Sequence, residues 1–371
     1  MVPGGPSDTV VLFVAPIPPP LTGQSLANDV LLAHLRQTPG VRVVVVDVAR
    51  PYSHHGIVGK LKRTLESIGF AIAMHRSASA PTVIYYNVSE SVQGALKDLF
   101  VYATNFHRLD RFVLHLHGGT GMRKILSGDH PLLFRLNRFF VARMRRVIVL
   151  GERFRDTYGF LDGSNQVVSV PNFAEERFFR DDNEVEGKHA ASAFEVLFLS
   201  NLLPGKGYLE LLGSAEEIGP TGGVHFHFAG GFASPADGEA FAMRVAHLPH
   251  VTYHGFVQGD EKQALLARAQ VFALPTYYPY EGQPISILEA YASGCAVVTT
   301  DHAGIFDVYA PGVNGEAVPP RDIASLTAAL RSLAADRALT REYGRRNAAY
   351  ARANFTRDHF LHTTFHLLAA V

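Results

Sequence analysis

Runs of five to eight residues that are apolar almost throughout alternate along this chain with stretches in which apolar positions recur three and four apart. The first series is TVVLFVA (9–15), VRVVVVDV (41–48), TVIYYN (82–87), RFVLHLH (111–117), RVIVL (146–150) and QVVSV (166–170). The second is FEVLFLS (194–200), VHFHFAG (224–230), VTYHGF (251–256), VFALP (271–275) and AVVTT (296–300). A strand with one face in water alternates apolar and polar residues. Near-continuous apolar runs therefore predict strands covered on both faces, as in parallel sheets with helices above and below. Between the two series, residues 175–192 turn charged and polar (RDDNEVEGKHAAS) and predict a linker. The pattern gives an α/β chain of two doubly wound domains, 1–174 and 193–354, with helical segments at 339–354 and 357–370 and a C-terminal piece, 355–371.

Composition supports two cores, because 371 residues with 47% hydrophobic content exceed what one core usually fills. The first apolar run, Val10–Ala15, has no basic residue before it and is too short for a signal peptide or a membrane span, so a cytoplasmic protein is expected. The single cysteine, Cys295 in SGCAVV, rules out an internal disulfide and reads as a buried strand residue. Net charge is zero, yet residues 1–180 hold 21 Lys+Arg against 13 Asp+Glu and the remainder 13 against 21. A basic first half suits an acidic partner such as an anionic membrane surface, while no motif supports nucleic acid. Within it, RKILSGDHPLLFRLNRFFVARMRR (123–146) places Arg135, Arg138 and Arg145 near helical spacing among Leu132, Leu136, Phe139, Phe140 and Met144, a pattern for a membrane-facing or acceptor-facing surface.

The chemistry concentrates in Glu281-Gly-Gln-Pro-Ile-Ser-Ile-Leu-Glu289. Glu281 falls in a loop and Glu289 in the helix that follows. Pro284 suits the first helical position, and the next amides, of Ile285 and Ser286, then point out of a helix end that carries partial positive charge. That end suits a phosphate, and a carboxylate on either side accepts hydrogen bonds from neutral hydroxyls. The combination describes a nucleotide sugar. Other candidates lie at strand ends. Gly23 and Gln24 follow the first strand and its proline-rich turn. Asn201 and Lys206, in SNLLPGKGY, follow the first strand of the second domain. His117 ends RFVLHLH ahead of two glycines, and Phe256 and Val257 follow a second-domain strand. The pairs His115/His117 and His225/His227 share a strand face at a spacing that also suits a metal, but neither has a clear third ligand, and no D-x-D pair is present, so no metal is expected. GxGxxG and Walker A patterns are absent.

The E-x(7)-E spacing, with AYASGCAVVTTDHAGIFDVYAPGVNG after it, resembles the family four retaining glycosyltransferases, and the resemblance extends over nearly the whole chain, weakest at 50–110. It implies the GT-B fold: two Rossmann-like domains facing across a cleft, the first for acceptor and the second for donor, with the last helix crossing back to the first domain. It implies that Glu281 holds hydroxyls of the transferred sugar and Glu289 the ribose of the nucleotide, that Gln283 is among the donor-binding residues, and that Gly23, Asn201 and Lys206 contact the diphosphate. His117 would lie near the transferred sugar, and Phe256 and Val257 near the base. Asn201 departs from the commoner Arg, which shifts leaving-group stabilisation onto Lys206 and helix-end amides. The expected activity is transfer of a sugar from a UDP- or GDP-sugar to a glycan, lipid-linked or glycoconjugate acceptor in surface polysaccharide synthesis, with retention and without a cofactor. The alternatives are a nucleotide-sugar epimerase or hydrolase on the same architecture, or a non-catalytic nucleotide-sugar-binding protein.

Overall fold

A computed structural model describes residues 9–19, 21–48, 69, 82–127 and 129–369. They divide into two units, one ending at Pro171 and resuming at Phe360, the other Asn172–His359. In the first unit the strands are β1 (Thr9–Ala15), β2 (Val41–Asp47), β3 (Val83–Asn87), β4 (Phe112–Leu116), β5 (Arg146–Val149) and β6 (Val167–Ser169). They form one sheet in the order β2-β1-β3-β4-β5-β6, all parallel. Central β3 and β4 are buried at every position, as their apolar runs predict, whereas edge strand β2 is only half-buried. Strand order reverses between β1 and β3, so the carboxyl ends of those two strands border the crevice in which open sheets of this kind bind ligands.

The second unit repeats the scheme with β7 (Phe194–Leu199), β8 (Val224–Ala229), β9 (Val251–Tyr253), β10 (Val271–Leu274), β11 (Ala296–Thr299) and β12 (Gly315–Ala317). Their order, β12-β11-β10-β7-β8-β9, places the reversal between β7 and β10. Parallel neighbours need long crossovers, which the helices Tyr208–Ile218, Pro235–Val245, Gly259–Arg268 and Ile285–Ala292 supply. Cys295 is fully buried in this core, as its setting suggested.

Residues 175–192 are not a free linker. They hold a helix, Asp182–Ala190, capped by Asp181 and Glu184, that buries Val185, Lys188 and His189 in the second unit. The Lys188 ammonium donates to the carbonyls of Leu266 at 3.2 Å and Ser293 at 2.5 Å and lies 3.3 Å from Cys295 Sγ. A polar stretch reads as exposed from sequence, but this lysine buries its stem and satisfies its charge on backbone oxygens. At the other end of the chain, the helix Arg357–Ala369 belongs from Phe360 onward to the first unit, where Phe365 meets His34 edge-on.

Candidate functional site

At the reversal between β7 and β10, the second unit brings Lys206 and Glu281 together. Both Glu281 oxygens accept from Lys206 Nζ, at 3.0 and 2.8 Å, and Thr276 Oγ1 donates to Oε2 at 3.0 Å. Both side chains are largely buried, at 13% and 8% exposure, and the ammonium lies 4.9 Å from the centre of the Tyr278 ring. The local backbone explains this placement. Gly205 and Gly207 flank the lysine with φ of 91° and 85°. A Cβ on Gly207 would stand 2.3 Å from the Pro275 carbonyl oxygen, so only glycine lets the 205–207 turn lie against the loop after β10. The Tyr277 amide donates to Gly205 O at 2.6 Å and locks the two loops together. His302, from the loop after β11, braces the same loop through Tyr278 O at 2.7 Å.

Glu289 stands in the helix Ile285–Ala292, as expected, and is 1% exposed. Burial pushes its carboxyl above the ordinary value, and the ammonium of Lys262 at 2.6 Å opposes that shift. Pro284 is the residue before the helix rather than its first, with ψ of 116° that suits an extended entry. The Ile285 and Ser286 amides remain the first two without an intrahelical acceptor. Gln283 Oε1 accepts from the Asn172 amide at 2.7 Å and its carbonyl from Asn172 Nδ2 at 2.9 Å, which anchors the loop. Val257 packs in the core of the second unit, while Phe256 is 59% exposed and Asn201 is exposed.

In the first unit, the reversal between β1 and β3 holds a buried polar chain. Gln24 Nε2 and Asn28 Nδ2 donate to Asn87 Oδ1 at 3.2 and 2.6 Å, and Tyr85 OH donates to Asn28 Oδ1 at 3.2 Å. Tyr85 OH also lies 2.7 Å from His115 Nδ1. With the Tyr85 proton on Asn28, His115 Nδ1–H is the donor there. His115 then stacks on His117 with ring centres 3.9 Å apart. Neither His117 nitrogen has a hydrogen-bond partner among the described residues. Burial lowers the His115 imidazole well below its usual range and that of His117 to about 3, so both rings are neutral at pH 7. Gln24 is thus tied to Asn87, and Gly23 is the exposed first residue of the helix Gly23–Gln37, capped by Thr22 and Ser25.

Sequence reasoning missed Glu90, whose carboxylate accepts from the Gly119 amide at 2.8 Å and fills the turn after His117. A Cβ on Gly119 would stand 2.1 Å from the Phe154 ring and one on Gly121 2.3 Å from the Glu90 carbonyl oxygen, which accounts for those glycines. It also missed Lys262, because an acidic and basic run at a helix start reads as ordinary capping charge. Elsewhere, Arg135 and Arg138 are exposed on the helix Pro131–Val141, but Arg145 is not on that face: it precedes β5 and donates to Asp110 O at 3.3 Å. Arg143 takes its place, lying 3.9 Å over the Phe139 ring, while Met144 is core. The histidine pair of β8 is hydrogen-bonded, His225 to Thr252 Oγ1 at 2.9 Å and His227 to His254 at 3.0 Å. Among the described residues, no group of three or more His, Cys, Asp and Glu could hold a metal, and no helix is long and apolar enough to cross a membrane.

Two six-stranded parallel sheets with flanking helices are the architecture of GT-B glycosyltransferases. Anabaena HepE, solved in complex with UDP, shares this fold with a TM-score of 0.73 at 17% identity, over 98% of this chain and 100% of its own. Residues 193–336, within the second unit, match the family model described as Glycosyl transferases group 1. Among curated relatives, glycogen synthase of Mycobacterium tuberculosis is 36% identical over 104 residues, 28% of this chain and 24% of the relative. A putative colanic acid biosynthesis glycosyltransferase, WcaL of Salmonella typhimurium, is 40% identical over 80 residues, 20% of each. The chain spans a quarter or less of the length of these curated relatives.

Proposed function

We propose that this protein is a retaining glycosyltransferase that takes its sugar from a UDP- or GDP-sugar. The observation that carries the reading is the constellation at the β7/β10 reversal: two buried carboxylates, each with a lysine, beside a helix end with free amides. In this reading Glu281 accepts hydroxyls of the sugar and Glu289 those of the ribose. Lys206 stands at the turn where the diphosphate leaves. Breaking the bond between sugar and phosphate builds negative charge on the leaving group, which Lys206 and the Ile285 and Ser286 amides stabilise without a metal ion. The departing phosphate takes the acceptor proton on the same face, which yields retention. HepE, also solved with UDP-glucose, and WcaL, named for colanic acid biosynthesis, support a nucleotide-sugar donor and a polysaccharide or glycoconjugate acceptor. Calorimetric titration with UDP, GDP, ADP and their common sugars tests the donor. Selective binding weakened at least tenfold by Glu289→Ala is expected, and no binding to any of them overturns the reading.

The exposed surface of the first unit supports an acceptor held at an anionic membrane, on its cytoplasmic face. Among the described residues, seven of the thirteen exposed large apolar side chains lie on its helices Val92–Thr104 and Pro131–Val141 and the turn between β3 and β4: Val92, Leu96, Phe100, Phe106, Leu132, Leu136 and Phe139. Phe106 stacks on Phe139 at 6.0 Å, which joins the two helix faces, and Arg135, Arg138 and Arg143 border an open groove of about 550 Å³ beside them. Apolar side chains ringed by arginines match the boundary of a bilayer with acidic headgroups. Vesicles with 30 mol% (about a third) anionic lipid should sediment the protein at low salt. Arg135→Glu with Arg138→Glu should abolish that, and unchanged sedimentation would sink the placement.

A further inference from the structure

Glu289 is the most deeply buried carboxylate of the donor region, and its surroundings divide its two oxygens. Oε1 accepts from Lys262 Nζ at 2.6 Å, whereas no donor among the described residues reaches Oε2. Lys262 comes from the second turn of the helix Gly259–Arg268, and its ammonium is fixed from another side by the Phe178 ring, 4.9 Å away. The lysine is 18% exposed, so its stem is covered while its head meets the carboxylate. The charged groups that face Glu289 are Lys262 and, with opposite effect, Glu175, which is itself 3.4 Å from Arg177. A carboxyl removed from water favours its neutral form and Glu175 adds to that preference, while the Lys262 ammonium favours the carboxylate.

We infer that Lys262 is a positioning residue of the donor site: by occupying Oε1 it holds Glu289 as a carboxylate with Oε2 left for the ribose hydroxyls of a nucleoside diphosphate. The inference rests on the reading of Glu289 as the ribose carboxylate and adds the group that fixes its orientation. Without Lys262, Glu289 loses the cation that opposes the upward push of burial and its carboxyl shifts further up, and the protonated acid is a poorer acceptor for a hydroxyl pair. Binding in such a variant should therefore improve as pH rises and the carboxyl ionises, whereas in the wild type it stays level.

The experiment is calorimetric titration with UDP, GDP and ADP and the 2′-deoxy form of each, from pH 6 to 9, on wild type, Lys262→Met and Lys262→Arg. The wild type is expected to prefer the ribonucleotide to its 2′-deoxy form at every pH. Lys262→Met should lose about tenfold in affinity at pH 7 together with that preference, and regain both toward pH 9, a loss of about 1.4 kcal/mol. Lys262→Arg should keep most of the wild-type behaviour. An unchanged preference in Lys262→Met overturns the inference while leaving the donor reading intact, as does tighter binding, which would make the lysine a competitor of ribose. A loss that is flat with pH and equal in Lys262→Arg overturns it too, because that is the signature of damaged packing. A wild type that binds none of the nucleotides overturns the donor reading and the inference together.

Discussion

The two sheet reversals of this chain are built on opposite electrostatic principles. At β7/β10, carboxylates are buried with a cation against each, Lys206 on Glu281 and Lys262 on Glu289. At β1/β3, the buried groups are amides, a phenol and two histidines that desolvation keeps neutral. Fixed charges held in pairs can exchange partners with a charged, hydroxyl-rich ligand. Neutral donors and acceptors can recognise a glycan without adding a charge of their own. On the proposed reading, the difference suits a nucleotide diphosphate on one unit and an uncharged acceptor hydroxyl on the other.

The largest effect should come from taking one member out of a charged pair. Lys206→Ala and Glu281→Ala should each lower kcat/KM for sugar transfer by roughly 100-fold or more, because each removes a ligand contact and leaves the other charge buried and alone. The double variant should be little worse than either single one, since the two residues act as a unit. Near-normal transfer in either single variant, followed by product formation, refutes the assignment.

A smaller loss should follow from disturbing the backbone that presents the lysine. Gly207→Ala forces a Cβ into left-handed backbone and against the Pro275 carbonyl, at a cost of about 2–3 kcal/mol that a thermal melt would register as several degrees. Gly163→Ala, also at positive φ but with nothing near a new Cβ, separates strain from collision. Equal melting losses in the two variants would show that the close approach of the 205–207 turn is not what demands glycine.

The pairing of strands was legible because two-sided burial leaves a continuous apolar run, and β1 to β11 follow the runs within a residue or two at most ends, with β9 the exception at three residues. Strand β12 was not, because Gly315-Glu-Ala carries no run and is held at the sheet edge by pairing with β11. The carboxylates of the donor region were legible from their spacing across a helix start. Their lysine partners were legible only in part. Lys206 follows a strand in a glycine turn, a local signal, whereas Lys262 reaches Glu289 from 27 positions away and announces itself by no pattern. The same holds for Glu90, whose role depends on three amides brought to it by the turn after β4. The reading of 175–192 failed for a related reason: Lys188 is buried by bonds to carbonyls distant in sequence.

The neutral cluster can be tested by acid alone. For histidines whose imidazoles are held below 6.5 in the folded state, the unfolded chain binds more protons as pH falls through 6.5, so their contribution to stability is complete above that pH and is lost progressively toward the folded value. Buried Glu90 and Glu289, raised above the ordinary carboxyl value, act with the opposite sign, because the folded state takes up their protons first as pH falls. Burial pushes Glu195 up, but bonds from His227 and Arg268 bring it down to about 2, so its stabilisation declines only below 4.5. Between pH 6.5 and 5 each such histidine should therefore cost roughly 1 kcal/mol per pH unit. The second unit has its own contributor in His189, held near 4, so the slope of the whole chain does not isolate the first unit. His117→Gln does: denaturant unfolding of this variant should show a shallower loss between pH 6.5 and 5 than the wild type, with little change in slope above pH 7.5. An unchanged slope would mean that His117 is not held neutral by folding, and the contrast between a charged and an uncharged reversal would lose its clearest member.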